Sequence, residues 1–243
     1  MLLNCDLGES DDLEEMAADH LVMPYIDMAN IACGFHAGDS QTIQNTVALA
    51  KQYQVRIGAH PSYPDREGFG RRSMRLSPDE IETILLSQLG TLSGVCQDQA
   101  CQISYVKPHG ALYNDMMKDD KVLFAICSAL QKFNPSLPLM LMATADNDRY
   151  RRKLEQFNIS LIFEAFADRA YDDEGFLVPR NTDGAVYHAA ELILNQAFQL
   201  KSRGVINSIN GKELKIEAQT LCVHGDNDES VRLIQMLKQG LSA

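Results

Sequence analysis

Apolar positions along the chain follow two periods. Seven short runs have the length and continuity of buried strands: Leu2–Cys5, Ile26–Ala32, Val55–Ala59, Ile103–Val106, Leu139–Ala143, Ser160–Phe163 and Gln219–Val223. Between them the spacing changes to that of helices. Stripes run through Ile43, Val47, Ala50 and Tyr53; through Ile81, Ile84, Leu85, Leu89 and Leu92; through Val122, Leu123, Ile126, Leu130 and Phe133; and through Val231, Ile234 and Leu237. Ser77-Pro78-Asp79-Glu80 is a helix start, with Ser77 as cap, Pro78 in the first turn and Glu80 closing a capping box. Asp11 with Glu14 reads as an earlier helix entry, and a later helix is predicted to be capped near Asp183. Asn210-Gly211 between VINSI and KELKI predicts a hairpin.

The result is seven strand–helix units with no break in composition that marks a linker. We read one domain over 1–243, with a hairpin excursion near 205–216. Successive parallel units give either a doubly wound sheet or a closed barrel. Polar residues end nearly every strand, the first and the last included. Edge strands of an open sheet rarely share one site, so the pattern favours closure into a seven-stranded distorted (β/α) barrel.

Composition narrows the function classes. Of 243 residues, 45% are hydrophobic and 23% charged, which is globular rather than disordered. The net charge of −11 and the absence of basic runs argue against nucleic acid as a partner. The apolar run Leu137–Ala143 is too short to span a bilayer, so no membrane is expected. The six cysteines form no CxxC pair, and Met1-Leu2-Leu3 gives way at once to Asn4-Cys5-Asp6. Both features predict a cytoplasmic protein with reduced thiols.

Barrel closure would bring the strand ends to one rim. Asp6 and Glu9 follow the first strand. Asn30, His36 and Asp39 belong to the second strand and its turn, and His60 follows the third. Lys107 and His109 follow the fourth, Glu164 and Asp168 the sixth, and His224 and Asp226 the last. Converging imidazoles and carboxylates suit either a divalent metal or general acid–base work. Asp6 either faces a cation or caps a neighbouring turn, because an acid there needs a partner. Glu9 is open to the same reading, or to that of a first-turn helix acid. Lys107 is placed to stabilise an oxyanion or a phosphate, or to pair with Glu164. The loop SYPDREGFGRRSMRL (62–76) reads as a lid whose Arg71 and Arg72 clamp a carboxylate or phosphate, with Tyr113 and Asn114 lining the same mouth. Asp172, Asp173 and Glu174 read as a solvated run. Cys33 and Cys222 are expected to be buried and inert. No GxxxxGK[ST], post-strand GxGxxG, GxSxG or HExxH occurs.

The stretches NCDLGES (4–10), NIACGFHAGD (30–39), GAHPSYPDREGFGRR (58–72), VKPHGALYN (106–114), EAFADRAY (164–171), LVPR (177–180) and CVHGD (222–226) together resemble the LamB/YcsF lactam-utilisation family. That family is described as the A component of bacterial ATP-dependent 5-oxoprolinase. The resemblance implies a seven-stranded barrel of the glycoside hydrolase/deacetylase kind. It implies a hydrolase that opens the cyclic amide of 5-oxo-L-proline (pyroglutamate) to L-glutamate at the expense of ATP, together with 5-oxoprolinase subunits B and C as partners. ATP is then a co-substrate held mainly through the partners. In this reading Asp6 or Glu9 takes a proton from water, Lys107 stabilises negative charge, and His109 works beside them. Asn30, Arg71, Arg72, Tyr113, Glu164, His224 and Asp226 would hold the substrate. The likeness to deacetylases suggests a divalent metal on Asp6, His36 and His60, with His109 an added candidate. Two other readings stay open: a stand-alone metal-dependent amidohydrolase or deacetylase, and a non-catalytic substrate-binding role. Oligomeric state, a homo-oligomer included, is also open.

Overall fold

The computed structural model describes residues 1–10, 19–223 and 228–242. The helix entry read at Asp11 and Glu14, and both His224 and Asp226, lie outside the described residues. Seven parallel strands close into a barrel in the order β1 (Leu2–Leu7), β2 (Met28–Ala32), β3 (Arg56–His60), β4 (Tyr105–Val106), β5 (Leu139–Met142), β6 (Leu161–Phe166) and β9 (Thr220–Val223). Closure is made by β9, which pairs with β6 through Glu164↔Thr220 and with β1 through Asn4↔Cys222. β7 (Val205–Asn207) and β8 (Glu213–Lys215) form a separate antiparallel pair around Asn210–Gly211.

Side chains alternate across each strand, so one set fills the barrel and the other faces the helices. On β1, Leu3, Cys5 and Leu7 join the main apolar core, while Asn4 and Asp6 belong to the interior network. Met28, Tyr105 and Met140 form a small separate cluster inside. Above it the interior turns polar. Tyr105 donates to Asn30 Oδ1 at 2.6 Å, Asn30 to Asn4 Oδ1 at 2.8 Å, and Asn4 to Thr220 Oγ1 at 3.0 Å. These fully buried amides have partners, as burial requires.

Gly58 makes room for this packing. A Cβ there would stand 2.2 Å from the Tyr105 ring. Gly58→Ala is expected to cost about 1–3 kcal/mol or more by overpacking, read as a lower thermal midpoint. An unchanged midpoint would mean that Tyr105 yields freely.

Three strands are longer at their C-terminal ends than apolarity alone predicts. β1 continues through Asp6, β3 includes His60, and β6 runs through Glu164 to Phe166. Ladder hydrogen bonds and barrel closure carry these polar residues inside. The helices are α1 (Ser40–Gln52), α2 (Pro78–Asp98), α3 (Gly110–Lys118), α4 (Asp120–Phe133), α5 (Asn147–Leu154), α6 (Ala190–Arg203) and α7 (Asp228–Ser242). Asp39 caps α1 through Thr42 N at 2.7 Å, and Ser77 with Glu80 closes the capping box of α2. The cap read at Asp183 is corrected: α6 begins at Ala190, and Asp183 lies in an exposed turn. Backbone bonds from Ala170 N to Ala185 O and Tyr187 N to Asp168 O hold this stretch against the loop after β6 instead. None of the helices described is long and apolar enough to cross a membrane.

Candidate active site

Three histidines reach the centre of the rim from different elements. His60 ends β3, His36 sits in the turn between β2 and α1, and His109 precedes α3. Gly110 lets the last of these elements approach. Its φ is +54°, and a Cβ there would stand 2.5 Å from Gly70 O, which accepts a bond from Ala111 N at 2.9 Å.

Each imidazole has one nitrogen tied to an oxygen acceptor. His60 Nδ1 lies 2.7 Å from Lys107 O, and His109 Nε2 lies 2.9 Å from Phe69 O. His36 Nδ1 lies 2.9 Å from Ser62 Oγ, whose hydroxyl donates to Tyr63 O at 2.8 Å. Carbonyls only accept, and the Ser62 hydrogen is already used. These three nitrogens therefore carry the ring N–H. The other three, His36 Nε2, His60 Nε2 and His109 Nδ1, turn lone pairs inward on Glu9. Glu9 Oε1 is 3.1 Å from His36 Nε2, 3.1 Å from His109 Nδ1 and 3.6 Å from His60 Nε2. His60 Nε2 and His109 Nδ1 face one another at 3.0 Å. The four ligand atoms lie within 4.8 Å of one another. Facing lone pairs and a carboxylate need a positive charge between them, a proton or a cation. This donor set, with each outer nitrogen anchored, suits a divalent cation.

The electrostatics agree. Burial would raise the Glu9 carboxyl, but His109 and His36, each 3.1 Å away, hold it well below its ordinary range. Burial pushes His36 down to about 4, so its imidazole stays neutral at neutral pH. Burial also opposes the charged form of His60, yet Asp6 and Glu9 raise it overall.

Below this cluster lies a buried charge network. Lys107 Nζ is 2.9 Å from Asp6 Oδ1, 3.1 Å from Glu164 Oε2, and 3.2 Å from both Asn4 Oδ1 and Cys222 Sγ. Asp6 also accepts from Asn30 at 2.7 Å, and its Oδ2 lies 3.3 Å from His60 Nε2. Burial alone would pull the Lys107 ammonium down, but Asp6, Cys222 and Glu164 raise it well above its ordinary value. Burial raises Glu164 despite Lys107. Cys222 is likewise raised by burial, and Cys33 is pushed up to about 12, so both thiols stay protonated.

A cavity of about 500 Å³ opens above these groups. Asp6, Glu9, His60, Lys107, His109, Arg71, Tyr113 and Asn114 line it, as expected of one convergent site. Other expectations are corrected. Asn30 and Glu164 are fully buried and do not line the cavity; they hold Asp6 and Lys107 from beneath. Arg72 is taken up by the lid itself, its guanidinium bound to Asp65 and Glu67, and it does not reach the cavity. Lys107 spends its three hydrogens on Asn4, Asp6 and Cys222, with Glu164 an ion-pair partner besides, so none is left to stabilise an oxyanion. Asp39 is spent on its helix cap. The geometric cation cluster is Glu9, His36, His60 and His109, with Asp6 beside it rather than in it. The lid is held down by Tyr63 and Ser73, which donate to Asp115 at 3.0 and 2.9 Å. Sequence reading missed Ser62, Phe166, Arg169 and Arg180. The last three line the cavity or its rim from β6 and the loop after it. The position of Arg169 just beyond a strand end was the available signal.

Known proteins match this chain along its whole length. The LamB/YcsF family profile covers residues 1–243. The 5-oxoprolinase A subunit of Vibrio vulnificus (strain YJ016) is 52% identical over 240 residues, covering 99% of this chain and 96% of its own. The protein of the same name from Pseudomonas fluorescens (strain Pf-5) is 50% identical over 242 residues, covering 100% and 97%. The crystal structure of a lactam utilization protein from Thermus thermophilus superposes with a TM-score of 0.90 at 35% identity, covering 100% and 97%. The chain therefore belongs to the LamB/YcsF family.

Proposed function

We propose that this chain is the lactam-opening component of an ATP-dependent 5-oxoprolinase, converting 5-oxo-L-proline to L-glutamate together with subunits B and C. The observation that carries this reading is the Glu9–His36–His60–His109 cluster beside Asp6, with Asp6, Glu9, His60 and His109 lining one cavity. The names of the relatives support the substrate. A five-membered lactam is an unactivated amide, so ring opening needs an activated carbonyl, a placed water and a proton for nitrogen. We assign the phosphoryl transfer from ATP to the partner subunits.

Glu9, His36, His60 and His109 would hold a divalent cation. Bound there, it would supply Lewis acidity to an amide oxygen and to water. Asp6 accepts hydrogen bonds from Lys107 and Asn30 and faces the same space. In this reading it removes a proton from water as the oxygen bonds to the phosphoryl-activated lactam carbon; both water protons pass to nitrogen as the C–N bond breaks, and a second water releases phosphate from the resulting acyl phosphate to leave L-glutamate. Lys107 acts through Asp6. Phe166 and Tyr113 give the methylene ring an aromatic wall, their centroids 6.2 Å apart. The six unpaired cysteines support a reducing compartment, the cytoplasm.

A second reading, a stand-alone amidohydrolase, is favoured by the same cluster, which is complete without a nucleotide. One assay separates them: 5-oxoproline turnover with and without ATP and subunits B and C, beside elemental analysis of the purified chain. We expect about one divalent cation per chain and turnover only with ATP and both partners. Turnover without ATP would favour the second reading. Near wild-type turnover in Asp6→Ala within the assembly would remove the proposed base.

A further inference from the structure

Arg169 is a buried cation that forms no ion pair among the described residues. It is 6% exposed, yet its Nε donates to Ala185 O at 3.3 Å and its Nη2 to Val178 O at 2.7 Å, both neutral acceptors. A guanidinium taken out of water is costly unless an anion faces it. Arg180, on the same loop, adds a like charge nearby. Burial and then Arg180 pull Arg169 down to about 10, with the nearby Asp168 charge offsetting only part of this. Both arginines line the cavity that Asp6, His60 and His109 also line.

The loop holds the guanidinium in a fixed orientation. Arg169 pairs with Val186 across one bridge, and Val178 N bonds Ala170 O at 3.0 Å, so both carbonyl partners sit on paired backbone. With two of its five N–H donors on those carbonyls, a donor-bearing edge remains for a ligand. The chain carries −11 overall, so a pair of cations at a cavity mouth is a local reversal of sign. Leu177, Val178 and Pro179 line the same cavity as these arginines and the hydrolytic groups. A cation pair, an apolar wall and hydrolytic groups in one cavity match a small amide that carries a carboxylate on its apolar body.

We propose that Arg169, supported by Arg180, is the subsite for the substrate's carboxylate. The assignment rests on the lactam reading for the identity of the substrate. It takes the clamp role that the lid arginines Arg71 and Arg72 were expected to play. Arg71 instead stacks on Phe69, 4.9 Å from its ring centre. A phosphoryl group presents related anionic oxygens; the planar free edge of one guanidinium matches the two oxygens of a carboxylate better.

The test is calorimetric titration of the full chain with 5-oxo-L-proline, pyrrolidin-2-one, which lacks the carboxylate, and inorganic phosphate. Arg169→Gln is expected to weaken 5-oxoproline by about 30-fold or more, and Arg180→Gln by about 5-fold, with pyrrolidin-2-one unchanged. Arg169→Lys should recover part of the loss. Because Arg169 also ties two loop carbonyls, melting curves accompany each variant; exposed Arg180 keeps the test alive should Arg169→Gln not fold. 5-Oxoproline binding within about 2-fold of wild type in folded Arg169→Gln, or in Arg180→Gln should that protein not fold, overturns the subsite. Phosphate binding that depends on Arg169 while 5-oxoproline binding does not would reassign it to a phosphoryl group. Wild-type protein that binds neither lactam sinks the lactam reading instead. The subsite is then judged with N-acetyl-L-alanine, whose failure to bind, or Arg169-independent binding, overturns it too.

Discussion

Lys107→Met is expected to cost the fold about 3–5 kcal/mol at neutral pH, because it leaves buried carboxylates without their cation. Lys107 is 2% exposed and Glu164 fully buried, so water cannot replace the lost charge. Methionine keeps most of the volume, which separates electrostatics from cavity formation. The pH dependence follows from the sign of the shifts. Burial already raises Glu164, and without Lys107 it would rise further. A carboxyl whose folded pKa exceeds its unfolded value binds protons more tightly when folded. The deficit is therefore full above the folded pKa and shrinks as pH falls toward the unfolded value. Denaturant unfolding at about pH 8 and about pH 5 should show the variant closer to wild type at the lower pH. At the higher pH, Lys107→Met with Glu164→Gln should be less damaged than Lys107→Met alone, since one orphan charge is gone. Equal damage in the single and double variants would show that Glu164 carries no charge once Lys107 is gone.

Much of this architecture was legible because the strands are buried on both faces and so read as apolar runs. Closure was legible from Asp6 at one end of the chain and polar residues ending nearly every other strand. What the pattern could not show was depth. In the sequence Glu164 follows an apolar run as His60 does and Asn30 lies near the end of one, but β6 and β2 each continue two residues past them, which places them beneath the cavity floor. Two residues of strand keep a side chain on the same face and change its depth, which decides whether a polar group meets ligand or lysine. Arg72 looks equivalent to Arg71 in the sequence, yet a carboxylate seven residues earlier captures it. The cation cluster differs from its expected membership for a similar reason. Asp6 is the carboxylate on the strand, but Glu9, three residues beyond, reaches the histidines because the chain turns there at Gly8, φ +69°. Arg169 leaves no signal of its depth because its burial arises from loop pairing, which has no periodic trace.

Glu9→Gln should abolish cation uptake and lower turnover by at least about 100-fold, and it separates two roles that the sequence leaves merged. Its Oε1 stands 3.1 Å from two of the three imidazole lone pairs, whereas Asp6 stands 3.3 Å from one. Glutamine keeps the shape and removes the charge. Three imidazoles then face a cation with no carboxylate among them, and affinity drops. Asp6→Asn should behave differently, since Asp6 is bound to Lys107 and Asn30 and sits beside the cluster. The cation should remain near one per chain while turnover falls by a similar factor. Elemental analysis and the reconstituted assay, run on both variants, read this contrast directly. If Asp6→Asn loses the cation and Glu9→Gln retains it, the two carboxylates exchange roles, with Glu9 removing the proton and Asp6 holding the charge.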